Sequence, residues 1–559
     1  MIKIIIALKL SMTITILFSQ NLNLEWVSQI SGTWDVSPIS IVTDNSGNIY
    51  NVGHFTEKIS FELVNDIKNL TSMGQEDIYI QKLDPNGKSL WLKHIKSPNQ
   101  IGAYNIVFDP SGFIYITGGV NGETYIEKEI LVSKGNKDFF ILKMDLNGKM
   151  VWVKQIKGVD YKGVNSIVLG SNSDIYLTGS FQGKVDFDPG PDTLYLSSIA
   201  KSDIFIQKLD LDGNLIWIKK ISGMDEDSGN SITLDSRDNI IVTGNFWGKV
   251  DFDPSLDTFY LTPAGDDDIF ILKLTAEGDF LWSKKIGGKS SDWGISIESD
   301  INDDLYLSGV FYDSVDFDFG LDTYHLIAYP NRSSFILKAD NDGNMIWVKQ
   351  MNQSFNDLNM TINHNKNIYF FGSFRGTVDF DPGIDTVNMT SRKFSDAFIK
   401  KLDSLGNLIW VKQMPSTSFT NSYSIALNNK DSSLYIAGSF YDTMDLDPSE
   451  KIEDFVAKGR YDGYISKISE NQIINNIQNK LSISTLKVFP NPCKRFLSFD
   501  SKEKKINQVY IYDQLGKKIT SYKLLRPSSV VFDHSTKPGI YFIKVYSEKS
   551  IKTNFFLLK

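Results

Sequence analysis

The sequence predicts an all-β protein: a seven-bladed β-propeller with four-stranded antiparallel blades, an N-terminal strand that closes the last blade, and a small C-terminal Ig-like β-sandwich. The first observation is a tryptophan in an apolar run, repeated at spacings of 65, 61, 65, 65, 65 and 63 residues: Trp26, Trp91, Trp152, Trp217, Trp282, Trp347 and Trp410. Second, each period holds about four strand-like runs separated by Gly, Asp and Asn turns. Third, no period shows a long helical pattern, which argues against stacked helix pairs. A fixed period of four strands is typical of a propeller blade.

The two ends of the repeat array are complementary. The first tryptophan run, Leu24–Ile30, lacks the strands that should precede it, and the last unit ends at Tyr464–Ile468 without its tryptophan strand. Pairing these two segments would remove both unpaired edges, which otherwise favour aggregation. The sequence therefore predicts a ring over residues 21–468. The seven tryptophans are predicted to pack between blades and to take no part in ligand binding.

Two short words recur along the array. They stand as Asp44-Asn-Ser-Gly-Asn-Ile-Tyr50 and Asp109-Pro-Ser-Gly-Phe-Ile-Tyr115, and as Thr178-Gly-Ser-Phe181. Residues 24–468 resemble the bacterial β-propeller repeats called SBBP, with their D-x-x-G-N-[IL]-[YW] and T-G-x-F words. The resemblance implies the fold and no single activity.

Charge is unevenly distributed along the 559 residues, whose formal net charge is −9. Residues 486–559 hold 15 basic and 5 acidic residues, so the rest, with 43 and 62, is strongly acidic. Because phosphate binding needs clustered Lys and Arg, the acidic body is not expected to bind nucleic acid. The single cysteine, Cys493, cannot form an internal disulfide, and the five histidines show no metal-ligand spacing.

Residues 1–20 have the pattern of a secretory signal peptide. Lys3 precedes an apolar stretch that is interrupted by Lys9, and the small residue Ser19 follows it. This stretch is too short and interrupted for a membrane span, and no other stretch reaches the ~20 apolar residues that a span requires. A buried N-terminal strand is the alternative. The pattern predicts export and no transmembrane span.

The composition changes after a polar linker predicted at 469–485. Residues 486–559 alternate apolar and polar residues as a small antiparallel sandwich does. Four words in this segment resemble the type A C-terminal sorting domain of type IX secretion in Bacteroidota, carried by Pro490, Asn491, Pro492, Asp513, Gly516, Gly539 and Tyr541. The resemblance implies that 486–559 engages the outer-membrane secretion machinery after passage through the periplasm and is then removed, leaving the protein secreted or on the cell surface. An Ig-like module with no sorting role is the alternative.

An acidic word, Asp-Phe-Asp-Pro or a variant of it, recurs in five periods. In two copies a glycine and a third aspartate follow, which presents possible calcium ligands: Asp186, Asp188, Asp192, Asp379, Asp381 and Asp385. Alternate carboxylates suit Ca²⁺, but the bidentate Glu at position twelve of a calcium loop is missing. The alternative is a structural turn anchored by the phenylalanine, and the repetition favours it. No other cofactor is predicted.

Function is less clearly indicated than fold. The chain contains no Gly-x-Ser-x-Gly, His-Glu-x-x-His or Walker word, which argues against an enzyme without deciding the question. Variable loops after each tryptophan strand are expected to form a ligand-binding face for a glycan or a protein, with candidates Trp34, Tyr161, Asp225, Glu226, Asp227, Asp292 and Trp293. The leading hypothesis is a non-catalytic binding or surface-interaction protein. The alternatives are a secreted polysaccharide hydrolase or lyase and a calcium-dependent adhesin.

Overall fold

A computed structural model describes residues 22–470 except 65, 134, 136, 321–322, 352–355, 429 and 450, together with the backbone of seven strands between 487 and 558. At 159–162, 330, 356 and 357 only the backbone is described. All regular structure in these residues is β, which confirms the all-β prediction. Asn21–Glu470 forms one compact unit, and Asn471–Lys559 belongs to another.

The strands of the first compact unit are numbered in chain order. They are β1 Leu22–Gly32, β2 Val36–Thr43, β3 Ile49–Phe55, β4 Lys58–Leu63, β5 Asp66–Thr71, β6 Asp77–Leu83, β7 Ser89–Ile95, β8 Ala103–Asp109, β9 Phe113–Val120, β10 Glu123–Ile126, β11 Glu129–Val132, β12 Asp138–Asp145, β13 Met150–Leu169, β14 Ile175–Asp186, β15 Tyr195–Leu209, β16 Leu215–Ile221, β17 Ser228–Leu234, β18 Ile240–Trp247, β19 Val250–Asp251, β20 Tyr260–Leu261, β21 Asp267–Leu274, β22 Phe280–Ile286, β23 Trp293–Ser299, β24 Leu305–Asp316, β25 His325–Ala339, β26 Met345–Met351, β27 Asn356–Ile362, β28 Ile368–Phe374, β29 Thr377–Asp379, β30 Asn388–Thr390, β31 Asp396–Leu402, β32 Leu408–Met414, β33 Thr420–Asn428, β34 Ser433–Phe440, β35 Thr443–Asp445, β36 Asp454–Val456 and β37 Asp462–Glu470.

The same four-stranded antiparallel unit recurs along residues 22–470. In order the units are unit 1 (β2-β3-β6-β7), unit 2 (β8-β9-β12-β13), unit 3 (β13-β14-β15-β16), unit 4 (β17-β18-β21-β22), unit 5 (β23-β24-β25-β26), unit 6 (β27-β28-β31-β32) and unit 7 (β33-β34-β37-β1). Strand β13 is 20 residues long and serves two units, with its first half on β12 and its second half on β14. The first strand of each unit contacts the first strand of the next, and β33 contacts β2.

The head of the chain supplies the last strand of unit 7. Strand β1 pairs antiparallel with β37, with Leu24 opposite Ile468 and Gln29 opposite Tyr464, as the sequence predicts. Strand β37 continues to Glu470, two residues beyond the predicted end of the array. The hairpin β4–β5 contacts both β1 and β7, so it covers the junction between units 7 and 1.

Short turns explain the D-x-x-G-N word. The Oδ1 atom of Asp210 accepts hydrogen bonds from the backbone N–H groups of Asp212 and Asn214, at 2.9 and 2.8 Å. Gly213 has φ 76°, and a Cβ there would also lie 2.9 Å from the Trp152 ring of the preceding unit. The turn hydrogen bonds and the contact between units therefore explain why aspartate and glycine recur at these positions.

The repeated tryptophans lie at these contacts between units. Only Trp410 is buried, and the other six are half-buried, so the prediction of core tryptophans holds in part. Trp91 packs on Tyr50 within its unit, and its indole N–H donates to the Leu146 carbonyl of the next unit at 3.2 Å. Trp26 makes the same contacts, with Tyr435 and with the Pro85 carbonyl. A tryptophan from the head of the chain thus joins unit 7 to unit 1.

Lys400 is a fully buried cation in unit 6, and its Nζ meets no hydrogen-bond partner among the described residues. Burial lowers the pKa of Lys400 to about 7, although Asp381 and Asp379 act to raise it. Leucine fills the same register position in units 2, 4 and 5, at Leu142, Leu272 and Leu337.

Lys400→Leu is expected to raise the free energy of unfolding by about 1–4 kcal/mol at pH 7, since an uncompensated buried cation is removed. The folded-state pKa lies below the ordinary 10.5, so the unfolded chain binds more protons between pH 7 and 10.5. Lys400 therefore lowers the free energy of unfolding by its full amount below pH 7, and this destabilisation decreases as the pH rises towards 10.5. The gain in stability of the variant should decrease over the same pH range. Urea titrations at pH 7 and 10 measure this, with the exposed Lys393→Leu as control. A variant less stable than the wild type at both pH values would contradict it.

The second compact unit contributes the remaining strands. They are β38 Lys487–Phe489, β39 Phe496–Asp500, β40 Ile506–Asp513, β41 Lys518–Tyr522, β42 Ser529–Val531, β43 Gly539–Ser547 and β44 Ile551–Leu558. They form a three-stranded sheet, β38-β39-β42, and a four-stranded sheet, β41-β40-β43-β44. Of the predicted sorting residues, Asp513 lies opposite Tyr541 and Gly539 begins β43. Pro490, Asn491, Pro492 and Gly516 lie outside the described residues, as do the predicted signal peptide 1–20 and residues 471–485.

Candidate functional site

The long connections gather at one end of the units, which we call the loop side. In each unit a long excursion follows the second strand. A second connection follows the fourth strand in every unit except unit 2, where β13 continues into unit 3. The connection that follows one unit is bridged to the excursion of the next unit at Ser222 and Asp251, at Gly287 and Asp316, and at Ser416 and Met444. The short turns lie at the opposite end.

Buried aspartates hold the connections of the loop side in place through hydrogen bonds. In six units one aspartate of the third strand stands directly before the buried run of that strand, and all six are fully buried: Asp77, Asp138, Asp203, Asp268, Asp396 and Asp462. Asp396 accepts hydrogen bonds from the Ser416 and Arg392 backbone N–H groups, at 2.8 Å each, and from the Gln413 amide at 2.6 Å. Sequence reasoning missed this role, although the aspartate recurs before the apolar run of the third strand in six of the seven units.

The Asp-Phe-Asp-Pro word forms a turn at the start of the excursion. The Oδ1 atom of Asp186 accepts from the Asp188 and Leu194 N–H groups, at 3.3 and 2.9 Å, and Asp188 accepts from Gly190 at 2.7 Å. Asp379 and Asp381 repeat this pattern with Val387 and Gly383.

The middle residue of the word anchors each turn in the core. Phe252 is fully buried, with ring centroids 5.2 Å from Phe246 and 5.0 Å from Phe270. In the described part of the chain, no group of three His, Cys, Asp or Glu side chains is arranged to hold a metal ion. Calcium binding at Asp186, Asp188, Asp192, Asp379, Asp381 and Asp385 remains a prediction.

An exposed aromatic and charged cluster lies on the loop side where units 7 and 1 meet. The Trp34 side chain is 46% exposed, and the Arg460 guanidinium lies 5.6 Å from the ring centroids of both Trp34 and Tyr461. Arg460 also forms an ion pair with Asp35 at 3.3 Å. Burial raises the pKa of Asp35 against the opposing effect of Arg460, and the buried Oδ1 atom of Asp35 has no partner among the described residues. We call this the Trp34 cluster.

A second cluster of the same composition lies in unit 5. Trp293 is 38% exposed, and the Arg332 guanidinium lies 5.7 Å from the rings of both Trp293 and Tyr312. The indole N–H of Trp293 donates to the Asp267 Oδ2 atom at 2.6 Å. The Nε of Arg332 and the Oδ1 of Asp267 are buried and meet no hydrogen-bond partner in the described residues. This Trp293 cluster therefore holds an unsatisfied donor and an unsatisfied acceptor beside an exposed ring.

The other predicted face residues are placed differently. Asp227 and Asp292 are fully buried and accept backbone hydrogen bonds from Trp247 and Tyr312, and burial raises their pKa values to about 8 and about 7. Asp225 is half-buried and lies 3.4 Å from Lys201, and Glu226 is exposed. Tyr161 is described by its backbone alone, which lies opposite Phe181.

Sequence reasoning named Trp34 and Trp293 but missed the residues around them. Arg332 and Asp267 lie 65 residues apart in adjacent units, so only the fold brings them together. The sequence signal that could have found these clusters is the presence of arginine at positions 332 and 460, where the other periods have different residues.

Two proteins of known sequence are similar to parts of this chain. The uncharacterized WD repeat-containing protein L264 of Acanthamoeba polyphaga mimivirus is 24% identical over 80% of this chain and 38% of its own length. The regulatory protein FlaEY of Caulobacter vibrioides is 23% identical over 32% of this chain and 18% of its own length. The chain thus spans well under half of each relative. The first likeness supports a propeller-like β-repeat.

Solved structures are only distantly similar. A protein of unknown function from Bacteroides caccae has a TM-score of 0.30 and 11% identity, covering 62% of this chain and 94% of its own. An auxiliary nutrient binding protein from Bacteroides ovatus has a TM-score of 0.25 and 9% identity, covering 78% and 100%. Neither score is high enough to support an argument.

The C-terminal part has a more specific match. Residues 487–559 match the family described as the secretion system C-terminal sorting domain. Among the described residues no helix is long and apolar enough to cross a membrane. A sorting domain of this family implies interaction with the secretion machinery. The chain therefore carries a type IX sorting domain at residues 487–559, which indicates export to the cell surface or the extracellular space.

Proposed function

We propose that the protein is an exported seven-bladed β-propeller of the SBBP type that binds a saccharide on its loop side. In this proposal each of units 1–7 is one blade, residues 1–20 are a signal peptide, and the sandwich-like domain 487–559 is removed after the outer membrane is crossed.

The contacts between units support the propeller. Each first strand contacts the next, and β33 returns to β2, which is the arrangement of a closed ring. Hydrogen bonds also join the first strands of neighbouring units. The Ile106 N–H donates to Ser40 Oγ at 3.3 Å, and the Ile41 N–H donates to Ser424 Oγ at 3.2 Å. The second bond joins unit 1 to unit 7 across 383 residues.

The observation that carries the binding proposal is the presence of two Trp–Arg–Tyr clusters on the loop side. An exposed indole offers a flat apolar surface that can stack on the C–H face of a sugar ring. In the Trp293 cluster, Arg332 Nε and Asp267 Oδ1 lie buried beside the exposed ring without hydrogen-bond partners among the described residues, so hydroxyl groups that reach them by a small side-chain shift would satisfy both. Buried polar atoms without partners are costly, so a ligand that satisfies them gains affinity.

Catalysis receives less support from the geometry. A glycosidase needs two carboxyl groups that face one substrate. Asp227 and Asp292 have raised pKa values, yet both are fully buried and bound to backbone N–H groups. Burial accounts for their pKa values without a substrate, so we favour binding over hydrolysis.

Trp34→Ala and Trp293→Ala are expected to weaken saccharide binding by about twofold to tenfold each, since an aromatic contact is worth about 0.5–1.5 kcal/mol beyond the area that it buries. A glycan array of the full chain, followed by titration of the best ligand against each variant, measures this. Leu211→Ala is the control, because Leu211 is 47% exposed in a turn at the opposite end. If the wild type binds no glycan but captures a protein, and both variants lose that capture, the ligand of this site is a protein and not a saccharide. Unchanged glycan binding in both variants would contradict the site.

A further inference from the structure

The first strands of units 2–6 line a solvent-open cavity of about 430 Å³. Its wall is mostly polar and includes Asn105, Asn165, Asn230, Ser231 and Glu298. The size lies within the usual range of small-molecule pockets, roughly 300–1,000 Å³. This cavity is formed by the strands themselves, so it is separate from the Trp34 and Trp293 clusters.

Glu298 breaks the pattern of the position that it occupies. In each unit, one residue of the first strand pairs with a second-strand residue that is tyrosine in six of the seven units. In the order of units 1–7, the first-strand residues at this position are Val42, Val107, Val168, Thr233, Glu298, Thr361 and Ala426. Only unit 5 places a carboxyl group there. The fold accepts an apolar or hydroxyl side chain in all the others, so the backbone does not require the glutamate.

The Glu298 carboxyl has no hydrogen-bond donor or cation as a partner among the described residues. It forms no hydrogen bond or ion pair within the described residues, and no other residue of the cavity wall carries a charge. Glu298 is half-buried in the cavity wall, and desolvation there raises the pKa of its carboxyl to about 7. An ionised carboxyl in such a place is costly unless a cation approaches it.

The amide groups of the wall favour hydrogen-bond donors in a ligand. The Asn165 Nδ2 donates to Gly229 O at 2.9 Å and to Ser228 Oγ at 3.2 Å. The Asn230 Nδ2 donates to Gly294 O at 2.8 Å and to Asn245 Oδ1 of its own unit at 3.2 Å, and the Asn230 Oδ1 accepts from Ser228 Oγ at 2.9 Å. Because both amide hydrogens of each side chain are already used, neither Asn165 nor Asn230 has an N–H group left for a ligand, and the Asn165 Oδ1 remains as an acceptor.

We propose that this cavity binds a small organic cation through an ammonium group that pairs with Glu298. An ammonium group carries hydrogens for the acceptor oxygens and a charge for the carboxylate. The wall also includes the apolar side chains Val168, Ile295 and Leu358, which suit the carbon skeleton of an organic ligand better than a hydrated metal ion. One carboxylate is also few ligands for a divalent metal.

The test uses the full chain and a panel of ethanolamine, lysine and glucosamine, with N-acetylglucosamine as the uncharged match. At pH 8 at least one amine is expected to raise the melting temperature and to bind in calorimetry, while N-acetylglucosamine does neither at this site. Glu298→Gln and Glu298→Val should lose this binding by about tenfold to a hundredfold, as expected when a charged hydrogen bond is removed. Valine is the residue of units 1–3, so the second variant should fold. The exposed Glu277→Gln is the control.

Three outcomes would overturn the proposal: no effect of any amine, equal binding by both Glu298 variants, or stabilisation by KCl or CaCl₂ but by none of the amines. None of them bears on the loop side, whose test uses Trp34 and Trp293.

Discussion

Ile30→Asp is expected to lower the free energy of unfolding by more than about 4 kcal/mol. Ile30 is 1% exposed on β1, lies opposite Gly463 of β37, and belongs to the core that contains Val36 and Ile465. Loss of a buried isoleucine side chain costs about 2–5 kcal/mol, and a buried carboxyl adds a desolvation cost. Because this core contains residues from both ends of the array, the substitution should open the junction between units 7 and 1.

Thermal melts and gel filtration measure this effect. Asn23→Asp is the matched control, since Asn23 is an exposed residue of the same strand opposite Ser469. Detachment of β1 would leave the edge of β37 unpaired, so Ile30→Asp should also form oligomers. A variant with the melting temperature of the control would show that the head of the chain does not hold unit 7.

Phe252→Ala is expected to cost about 3–5 kcal/mol, the usual range for a buried phenylalanine. The Phe252 ring is fully buried between Phe246 and Phe270, and the same trio recurs at Phe317 with Phe311 and Phe335. If the Asp-Phe-Asp-Pro motif is a structural turn, removal of its phenylalanine should lower the free energy of unfolding. Calcium bound by its aspartates should then contribute little to stability.

Urea titration of Phe252→Ala against Phe259→Ala tests this interpretation. Phe259 lies in the same excursion but is 39% exposed, so its removal should cost less than about 1.5 kcal/mol. A loss of stability that appears only after chelation of calcium, in the wild type as well as in the variant, would instead favour the metal-binding alternative.

Features that recur with the period were predictable from the sequence. The pairing of Leu24–Ile30 with Tyr464–Ile468 followed from one missing and one surplus strand, because antiparallel pairing leaves few other partners for an edge. The half-burial of six tryptophans was not foreseen, since a repeated tryptophan looks the same in sequence whether it fills a core or covers a turn glycine such as Gly213.

Features that occur once were harder to predict. Arg332, Trp293 and Asp267 meet through the contact between two units, and nothing local marks them as neighbours. Glu298 was missed because its meaning depends on its six register equivalents, which become visible only when the strand pairs are aligned.

The pairing of β1 with β37 also sets the order of events during biosynthesis. Gln29 and Asp462, which are hydrogen-bonded in the finished protein, are separated by 433 residues. At a synthesis rate of about 5–20 residues per second, the earliest strand waits roughly 20–90 seconds for its neighbour to be made. Throughout that interval six complete sheets can assemble in turn, while the seventh remains one strand short. The last pairing of the repeat array is therefore between its earliest-made strand, β1, and its last-made strand, β37.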